Sequence, residues 1–217
     1  IILGEIVEKI SGLSLDVFAD SMIFKPLGMS TTFFNPPSNK NRRIVPTELR
    51  PDGTIVHGYV HDENAYSLGG VAGHAGLFST AKDLAVFSQM MLNDGLYGWK
   101  RIFKIGTVSE FTAKANVVDG SSRLLGWDSP GGYASGGIYL SDSSFGHTGF
   151  TGTSMWIDPD QGIIVILLTN AVHPNRKNKS PKYYDWRQRI HSAVYESLSI
   201  INKNPNLKLR PRWEEGE

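Results

Sequence analysis

Length, composition and charge limit what this chain can be. It has 217 residues, of which 40% are hydrophobic and 20% are charged, and its formal net charge is +1. These values are typical of one globular domain or a large piece of one, and no global field favours nucleic acid or an anionic membrane. The lack of cysteine excludes disulfides, iron–sulfur clusters and thiolate zinc sites. The longest strongly apolar run, residues 163–168, is too short for a transmembrane segment.

The chain opens inside an amphipathic helix. Apolar residues recur at helical spacing, no N-cap precedes them, and the first residue is not methionine. Gly12 stands where a left-handed glycine commonly ends a helix. A helix that lacks its own beginning indicates a truncated or processed chain. The periodic apolar residues are Leu3, Ile6, Val7 and Ile10.

Two further helices are predicted before the middle of the chain. Ser14 can cap the first of these, which stops near Gly28. Residues 35–52 are rich in Asn, Pro, Thr and Arg and indicate irregular surface. After a glycine-dense loop at residues 69–76, Thr80-x-x-Asp83 forms a capping box that begins the next helix.

The C-terminal third carries the clearest pattern. Two strand candidates, residues 154–157 and 162–168, flank a strong hairpin signal, Asp158-Pro159-Asp160-Gln161-Gly162. A final helix is predicted around residues 185–198, with one apolar stripe of the kind that faces a core. Helices at both ends and an antiparallel hairpin indicate an α+β fold. The stripe consists of Trp186, Ile190, Val194 and Leu198.

Four segments, in this order and spacing, resemble the serine β-lactamase and penicillin-binding-protein superfamily, in its branch of class C β-lactamases, esterases and D-aminopeptidases. They are residues 2–12 with Pro26-Leu27-Gly28-Met29, residues 73–84, residues 146–152, and Trp156-Ile157-Asp158-Pro159 running on to Leu167-Leu168-Thr169-Asn170.

The resemblance implies an architecture. It is a β-lactamase/transpeptidase-like antiparallel sheet flanked by terminal helices, with a helical lobe at about residues 14–110. The remaining sheet strands and the final helix would lie at about residues 135–200, so that residues 1–217 form the C-terminal portion of one domain. By the same resemblance the first two strands, the Ser-x-x-Lys nucleophile motif and the Tyr-x-Asn motif belong upstream. No Tyr-x-Asn occurs in these residues.

The motif Gly146-His147-Thr148-Gly149 is the strongest site candidate. In the family this strand borders the active site, its small third residue, here Gly149, lets substrate lie against the backbone, and the N–H of Phe150 would supply half of an oxyanion hole. We therefore predict catalytic roles for His147, Thr148, Gly149 and Phe150. Many lactamases carry lysine at the position of His147. Because histidine is mostly neutral at pH 7, efficient β-lactam hydrolysis is not expected.

Two loop residues are predicted to contact substrate. His74 lies in a glycine-rich loop that lines the same cleft in relatives. Asn175 falls where class C enzymes contact the substrate carboxylate, although a loop asparagine commonly serves only to form a turn.

Several other patterns suggest chemistry, and each has a simpler reading. Ser79-x-x-Lys82 has the spacing of a nucleophile motif, but Ser79 and Thr80 are expected to cap a helix while Lys82 points outward. Ser141-Asp142-Ser143 reads as a polar turn. His57 and His61 have zinc-like spacing, but Gly58 opposes the helix that this spacing needs, and no metal is expected. Residues 70–76 lack the lysine of a phosphate loop, and residues 176–179 are expected to form a solvated basic loop.

Two functions follow from the resemblance. The first is a serine hydrolase that forms an acyl-enzyme with ester, amide or peptidoglycan-like substrates and needs no cofactor; the fragment alone would be inactive. The second is a non-catalytic binding or accessory module, of the kind fused to cell-wall glycoside hydrolases. Expected partners are a small-molecule or peptide substrate and the N-terminal portion of the same domain. The family commonly works in the periplasm or cell envelope.

Overall fold

A computed structural model describes residues 1–38, 43–114, 118 and 120–212. Residues 39–42 of the predicted irregular surface, residues 115–117 and 119, and the last five residues of the predicted domain lie outside the described residues. Within these ranges no helix combines the length and apolar character needed to cross a membrane.

The described helices occupy the two ends and the middle of the chain. Helices α2 and α3 are joined by a π-helical turn, Asp20–Phe24, so that they form one continuous helical segment. The helices are α1 (Ile2–Ser11), α2 (Leu15–Ala19), α3 (Lys25–Leu27), α4 (Glu63–Ser67), α5 (Ala81–Leu92), α6 (Thr107–Thr112) and α7 (Pro181–Ser197).

In the part of the chain that the structure describes, the strands form three two-stranded ribbons and one three-stranded sheet, all antiparallel. Strands β1 (Phe33–Phe34) and β4 (Leu77–Phe78) pair, as do β2 (Glu48–Leu49) with β3 (Ile55–Val56) and β5 (Leu96–Tyr97) with β6 (Lys100–Arg101). The larger sheet has the order β7 (Phe145–Thr148), β8 (Ser154–Asp158) and β9 (Ile163–Leu167). The predicted hairpin is confirmed as β8 and β9, and Gly162 in its turn has φ of 63°.

The three-stranded sheet lies between two hydrophobic cores. Phe145 and Ile157, which face each other across β7 and β8, pack with α5 and the helical segment formed by α2 and α3. Trp156 and Val165 belong to the other core, which includes Tyr195 of α7. The alternation of side chains along a strand therefore divides the sheet between the helices on its two faces.

Local capping differs in part from the prediction. Gly12 ends α1 in the left-handed conformation, as expected. Ser14 precedes α2, but its side chain makes no capping hydrogen bond; the Glu8 carboxylate instead accepts from the Leu15 N–H at 2.7 Å. Thr80 caps α5 by accepting from the Asp83 N–H.

The predicted orientation of the final helix is wrong. Helix α7 begins at Pro181, earlier than expected, and Trp186, Ile190 and Leu198 are exposed; only Val194 of the stripe packs against the core. The buried face is largely polar, and the sheet supplies partners for two of its residues: Ser154 bonds to His191 and Asp158 bonds to Tyr195. These buried residues of α7 include Asp185, Gln188, His191, Ser192 and Tyr195.

The apolar residues of α1 are also largely exposed. Gly4 is the only buried residue of this helix. Ile2, Leu3, Ile6 and Ile10 face solvent, with Ile10 81% exposed. An apolar helical face of this kind normally packs against another part of a protein.

Candidate functional site

The end of β7 carries the sequence motif, and a tight turn docks on its outer edge. In that turn the Leu124 N–H donates to Trp127 O at 2.8 Å, so that Arg123 and Asp128 stand opposite each other. Asp128 then exchanges two backbone hydrogen bonds with Gly146, at 2.7 and 3.0 Å. Leu124 is buried in the core and anchors the turn. The turn, residues 123–128, therefore pairs with β7 at Gly146 and not with the residues that follow it.

The residues after Gly146 leave part of the strand edge open. The backbone N–H and C=O groups of successive residues in a strand point to opposite sides. Because those of Gly146 point away from β8, those of His147 point toward β8 and those of Thr148 point away from it. Gly149 bonds inward again, since its N–H donates to Thr153 O at 2.8 Å. Among the residues that the structure describes, the N–H of Phe150 has no acceptor. This open edge can receive an extended substrate.

Packing explains why position 146 is glycine. A Cβ atom there would come closer to Met155 O and to the Trp156 ring than van der Waals contact allows. A Cβ at Gly136 would lie 2.7 Å from Trp156 Cγ. The indole is thus held between two glycines, and its Nε1–H donates to Ser135 Oγ at 2.9 Å. The requirement at Gly146 comes from the sheet's own packing.

Position 149 also has an internal reason to be glycine. A Cβ there would meet Thr153 Oγ1 in the same turn. This contact with the protein adds to the predicted role of Gly149 in admitting substrate.

His147 is exposed and has two polar partners. Arg123 Nη1 lies 3.0 Å from His147 Nε2, and His147 Nδ1 lies 2.8 Å from Thr148 O. A guanidinium can only donate, so Nε2 accepts and the ring proton must lie on Nδ1, where it donates to Thr148 O. This arrangement places a neutral imidazole at the end of β7. Arg123 Nη1 also lies 3.0 Å from Asp128 Oδ1.

A charged cluster holds the turn that carries Phe150. Arg176 makes a two-pronged ion pair with Glu48, at 2.9 and 2.8 Å, and a further contact with Glu63 at 3.0 Å. The Arg176 guanidinium lies 5.9 Å from the Phe150 ring centre, and the His61 ring packs edge-on against the same ring at 5.2 Å. Two loops distant in sequence are therefore joined beneath the exposed Phe150 side chain.

Electrostatics in this cluster follow from the ion pairs. The Arg176 hydrogen bonds and charge lower the pKa of Glu48 to about 2, against the opposing effect of burial. The Arg176 hydrogen bond also lowers the pKa of Glu63. Both carboxylates are thus ionised at neutral pH.

Residues 176–178 are exposed, as expected of a solvated basic loop, and two cations of the loop also have protein partners. Arg176 is ion-paired as described, and Lys179 Nζ donates to Phe150 O at 2.7 Å. Burial lowers the pKa of Lys179, with the Arg187 charge adding to the effect. The sequence shows these two cations, together with Lys177, but it does not show which carboxylates and carbonyls the fold brings to them.

The two predicted substrate contacts lie beside this cluster. His74 Nε2 is 3.0 Å from Asp62 Oδ1, and Asp62 caps α4 and is the chain neighbour of His61. Asn175 is exposed and precedes Arg176; its side-chain oxygen accepts from the Lys177 N–H at 2.9 Å. The asparagine therefore forms a turn here, and its contact with substrate stays a prediction.

The other sequence patterns that suggested chemistry belong to residues with structural contacts or simple surface positions. Ser79 Oγ lies 2.7 Å from Thr32 Oγ1, while Lys82 is exposed at the start of α5. Ser141 bonds to Asp158 at 2.5 Å through its hydroxyl in a polar turn. His57 bonds to a loop carbonyl and is not in a helix. In the described ranges no group of three or more His, Asp or Glu side chains is placed to hold a metal ion.

Comparison with known proteins identifies the family. A family model described as Beta-lactamase matches residues 1–189. Proteins of Salmonella schwarzengrund and Salmonella newport, both named "Putative D-alanyl-D-alanine carboxypeptidase", are 40% identical over 190 residues. Each alignment covers 79% of this chain and 44% of the relative, so the chain spans less than half the length of these relatives.

Solved structures agree in fold. A β-lactamase from Mycobacterium bovis matches with a TM-score of 0.58 at 21% identity, over 90% of this chain and 60% of that chain. Simvastatin synthase from Aspergillus terreus matches with a TM-score of 0.63 at 18% identity, over 89% and 53%. At these identities the likeness shows the fold alone. The family-model match over residues 1–189 shows that this chain belongs to the β-lactamase family.

Proposed function

We propose that this chain is the C-terminal part of a serine hydrolase that acts through an acyl-enzyme. One observation carries the proposal: β7 ends in an open edge at which the Phe150 N–H has no acceptor among the described residues. Membership of the β-lactamase family supports it, since the resemblance of residues 146–152 to that family implies that this strand borders the active site.

The chemistry assigns a role to each part of the motif. An upstream serine attacks the acyl carbonyl, and the carbonyl oxygen gains negative charge as the tetrahedral intermediate forms. The Phe150 N–H donates to that oxygen, and one such donor contributes roughly 3 kcal/mol of transition-state stabilisation. Thr148 offers its outward backbone to the substrate chain, and His147 and Gly149 border the same edge.

The surrounding contacts keep this donor in place. Lys179 holds the Phe150 carbonyl, and Arg176 and His61 pack on the Phe150 ring. A donor fixed before substrate arrives needs no reorganisation during the reaction. His74 and Asn175 complete the border of the cleft and contact the substrate.

Substrates are peptides of the cell-wall kind and related esters and D-amino-acid amides, with β-lactams as weak substrates or inhibitors. The name shared by the 40%-identical Salmonella relatives supports the peptide class. The neutral His147 at the position of a lactamase lysine supports the weak action on β-lactams. Such substrates favour the periplasm or cell envelope as the site of action.

The remaining part of the same domain supplies the Ser-x-x-Lys and Tyr-x-Asn motifs. Two surfaces support its packing here: the exposed apolar face of α1, and the outer edge of β9, with which no strand pairs in the part of the chain that the structure describes. An unpaired edge strand favours the addition of another strand. Because the Ser-x-x-Lys and Tyr-x-Asn motifs belong to that remaining part, we expect the isolated chain to be inactive.

The test uses the full-length protein. It is incubated with a serine-directed acylating probe and, separately, with an activated ester, and the adduct mass and ester turnover are measured. The proposal predicts one covalent adduct on the upstream Ser-x-x-Lys serine and turnover that is lost when this serine becomes alanine. Absence of both adduct and turnover would instead identify a non-catalytic binding module.

A further inference from the structure

The hairpin of β5 and β6 carries a tryptophan at its tip. Trp99 lies with Gly98 in the turn between the two strands and is 101% exposed, so the whole indole faces solvent. Gly98 has φ of 56°, and a Cβ there would meet nothing within 4 Å. Because tryptophan is highly buried on average, a fully exposed indole is unusual.

Two other tryptophans have ring partners of a kind that Trp99 lacks. The Trp127 ring packs edge-on against Phe145, with ring centres 5.2 Å apart. Trp186, which is also exposed, has Lys182 Nζ 4.9 Å from its ring centre. Within the ranges that the structure describes, no ring or cation covers the indole at the hairpin tip. This side chain is therefore available to a partner outside the chain.

The base of the hairpin is well anchored. The Ile102 N–H donates to Gly95 O at 2.8 Å, and the Gly106 N–H donates to the Asp94 carboxylate at 3.0 Å. Tyr97 of β5 packs against the hydrophobic core. The backbone that presents the tip is therefore ordered by bonds within the protein, and binding through the tip requires little further ordering.

The segment around the tip is positively charged. Residues 95–109 contain three cations and no acidic residue, although the whole chain has a net charge of only +1. Lys100, Arg101 and Lys104 are all exposed, and none forms an ion pair among the described residues. Arg101 Nη1 donates to two backbone carbonyls, which leaves its charge unneutralised. The positive charge is thus local to this hairpin.

An exposed indole beside several cations fits the surface of an anionic bilayer. Tryptophan is enriched where the ring can lie among lipid headgroups, and lysine and arginine near such a surface are attracted to its negative charge. A stable protein interface needs about 800 Å² on each partner, more than a narrow hairpin tip offers. A glycan partner would need amide or carboxylate groups to bond its hydroxyls, and residues 95–109 contain no Asn, Gln, Asp or Glu.

We propose that the tip of this hairpin binds the anionic surface of a lipid bilayer, with the Trp99 indole among the headgroups and Lys100 against the phosphates. A two-residue strand is only about 7 Å long, so the cations at the base of the hairpin also lie close to one Debye length, about 8 Å, from that surface. Attachment is peripheral and reversible, because one indole and a few cations bury far less apolar area than a spanning helix. This binding is independent of the acyl-enzyme function.

The test measures binding of the full-length protein to sucrose-loaded vesicles by sedimentation. One set contains phosphatidylglycerol and phosphatidylcholine in equal parts, and the other contains phosphatidylcholine alone. The variants are Trp99→Gln and the double variant Lys100→Gln with Lys104→Gln. Trp186→Gln and Lys82→Gln are the matched controls, because they remove an exposed indole and an exposed cation elsewhere. Turnover of a small soluble ester without lipid reports whether each variant is folded.

The natural protein is expected to bind the anionic vesicles and to be released by salt. Trp99→Gln should weaken binding about tenfold, as expected for losing a partly buried indole. The double lysine variant should weaken it about twentyfold and lower its dependence on salt. The two controls should stay within about twofold. Lipids brominated in their acyl chains should quench tryptophan emission of the natural protein more than that of Trp99→Gln.

Three results overturn the proposal. One is that the natural protein does not bind the anionic vesicles, as would follow if the remaining part of the domain covers Trp99. Another is binding that stays within about twofold in Trp99→Gln. The third is binding to purified cell-wall glycan, lost in Trp99→Gln, without binding to vesicles, which would assign the tip to a glycan.

Discussion

Polar side chains lie at two places on the three-stranded sheet, and the two groups differ in their access to water. Beneath α7, Ser154 bonds to His191 and Asp158 bonds to Tyr195, and all four residues are buried. At the end of β7, His147 and Arg123 contact each other in the open. Polar side chains are thus shielded from water beneath α7 and accessible to water at the end of β7.

This difference in access to water predicts which polar residues matter for stability and which matter for function. A buried polar group whose partner is removed bears the full cost of its desolvation, whereas an exposed one can bond to water instead. Changes beneath α7 should therefore mainly alter the free energy of unfolding, and changes at the end of β7 should mainly alter catalysis. Four variants of the full-length protein test this division.

The buried carboxylate of Asp158 should matter most for stability. It accepts from the Tyr195 hydroxyl at 3.0 Å and from the N–H and hydroxyl of Ser141 at 3.0 and 2.5 Å. Asp158→Ala should lower the free energy of unfolding by about 3 kcal/mol or more, because it leaves buried donors unpaired. Urea unfolding measures this, with Asp160→Ala in the exposed turn as the control. Equal effects of the two variants would refute the assignment.

His191 should make stability depend on pH. Burial, with the Arg187 charge adding, lowers its pKa from 6.5 to about 4. Between these values the unfolded chain binds more protons than the folded one, so stability falls as pH falls. The contribution lost from pH 6.5 to pH 4 should be about 3 kcal/mol, and no further change is expected above pH 6.5.

His191→Gln removes the titrating group and should flatten this part of the pH profile. Unfolding free energies of both proteins at pH 7, 5 and 4 give the comparison. If the variant retains the same slope, the acid sensitivity comes from other groups.

Gly146 belongs to both regions, because it carries the functional strand and contacts the core tryptophan. Gly146→Ala should destabilise the protein by about 1–3 kcal/mol, since the added methyl group overlaps the Trp156 ring. Thermal unfolding measures the effect. Gly131→Ala is a matched control, because a Cβ there meets nothing within 4 Å. A stable Gly146→Ala protein that loses activity would assign this glycine to substrate access alone.

Substitution of Glu48 should affect catalysis more than stability. Glu48→Gln weakens the ion pair to Arg176, which is 46% exposed, so we expect a loss of only about 1 kcal/mol of stability at pH 7. Because the pKa of Glu48 is lowered from 4.5 to about 2, this difference should shrink as pH falls through that range.

Acylation should suffer more than stability in Glu48→Gln. A looser Arg176 no longer holds the Phe150 ring, and misplacing the donor by a fraction of an ångström should slow acylation about fivefold or more. The acylation rate and the unfolding free energy are measured on the same preparation. Glu63→Gln, whose carboxylate is 68% exposed, should change both less.

Local patterns predicted much of the fold. The hairpin of β8 and β9, the glycine end of α1 and the Thr80 cap of α5 depend on neighbouring residues, and the structure confirms each. The orientation of α7 could not be predicted in this way. Its apolar stripe satisfied the helical period, but the buried side was decided by polar partners such as Ser154 and Asp158 in the sheet.

The candidate site likewise contains some residues that lie in one sequence segment and others that only the folded structure brings to it. Residues 147–150 form one segment, so the resemblance to the family was enough to single them out. Arg123, Glu48 and Arg176 reach this segment only through tertiary contacts across long stretches of chain, and no periodicity or spacing marks them. Lys179 was visible as a cation, but its bond to the Phe150 carbonyl needs the folded loop.

In the proposed enzyme, the Phe150 N–H faces the reacting carbonyl. A crystal structure of the full-length protein, trapped as its acyl-enzyme, shows whether it does. We expect the acyl oxygen about 2.7–3.1 Å from the Phe150 nitrogen, with the acyl chain along the open edge of β7. An acyl oxygen directed away from Phe150, or an acyl group bound elsewhere in the protein, would contradict it.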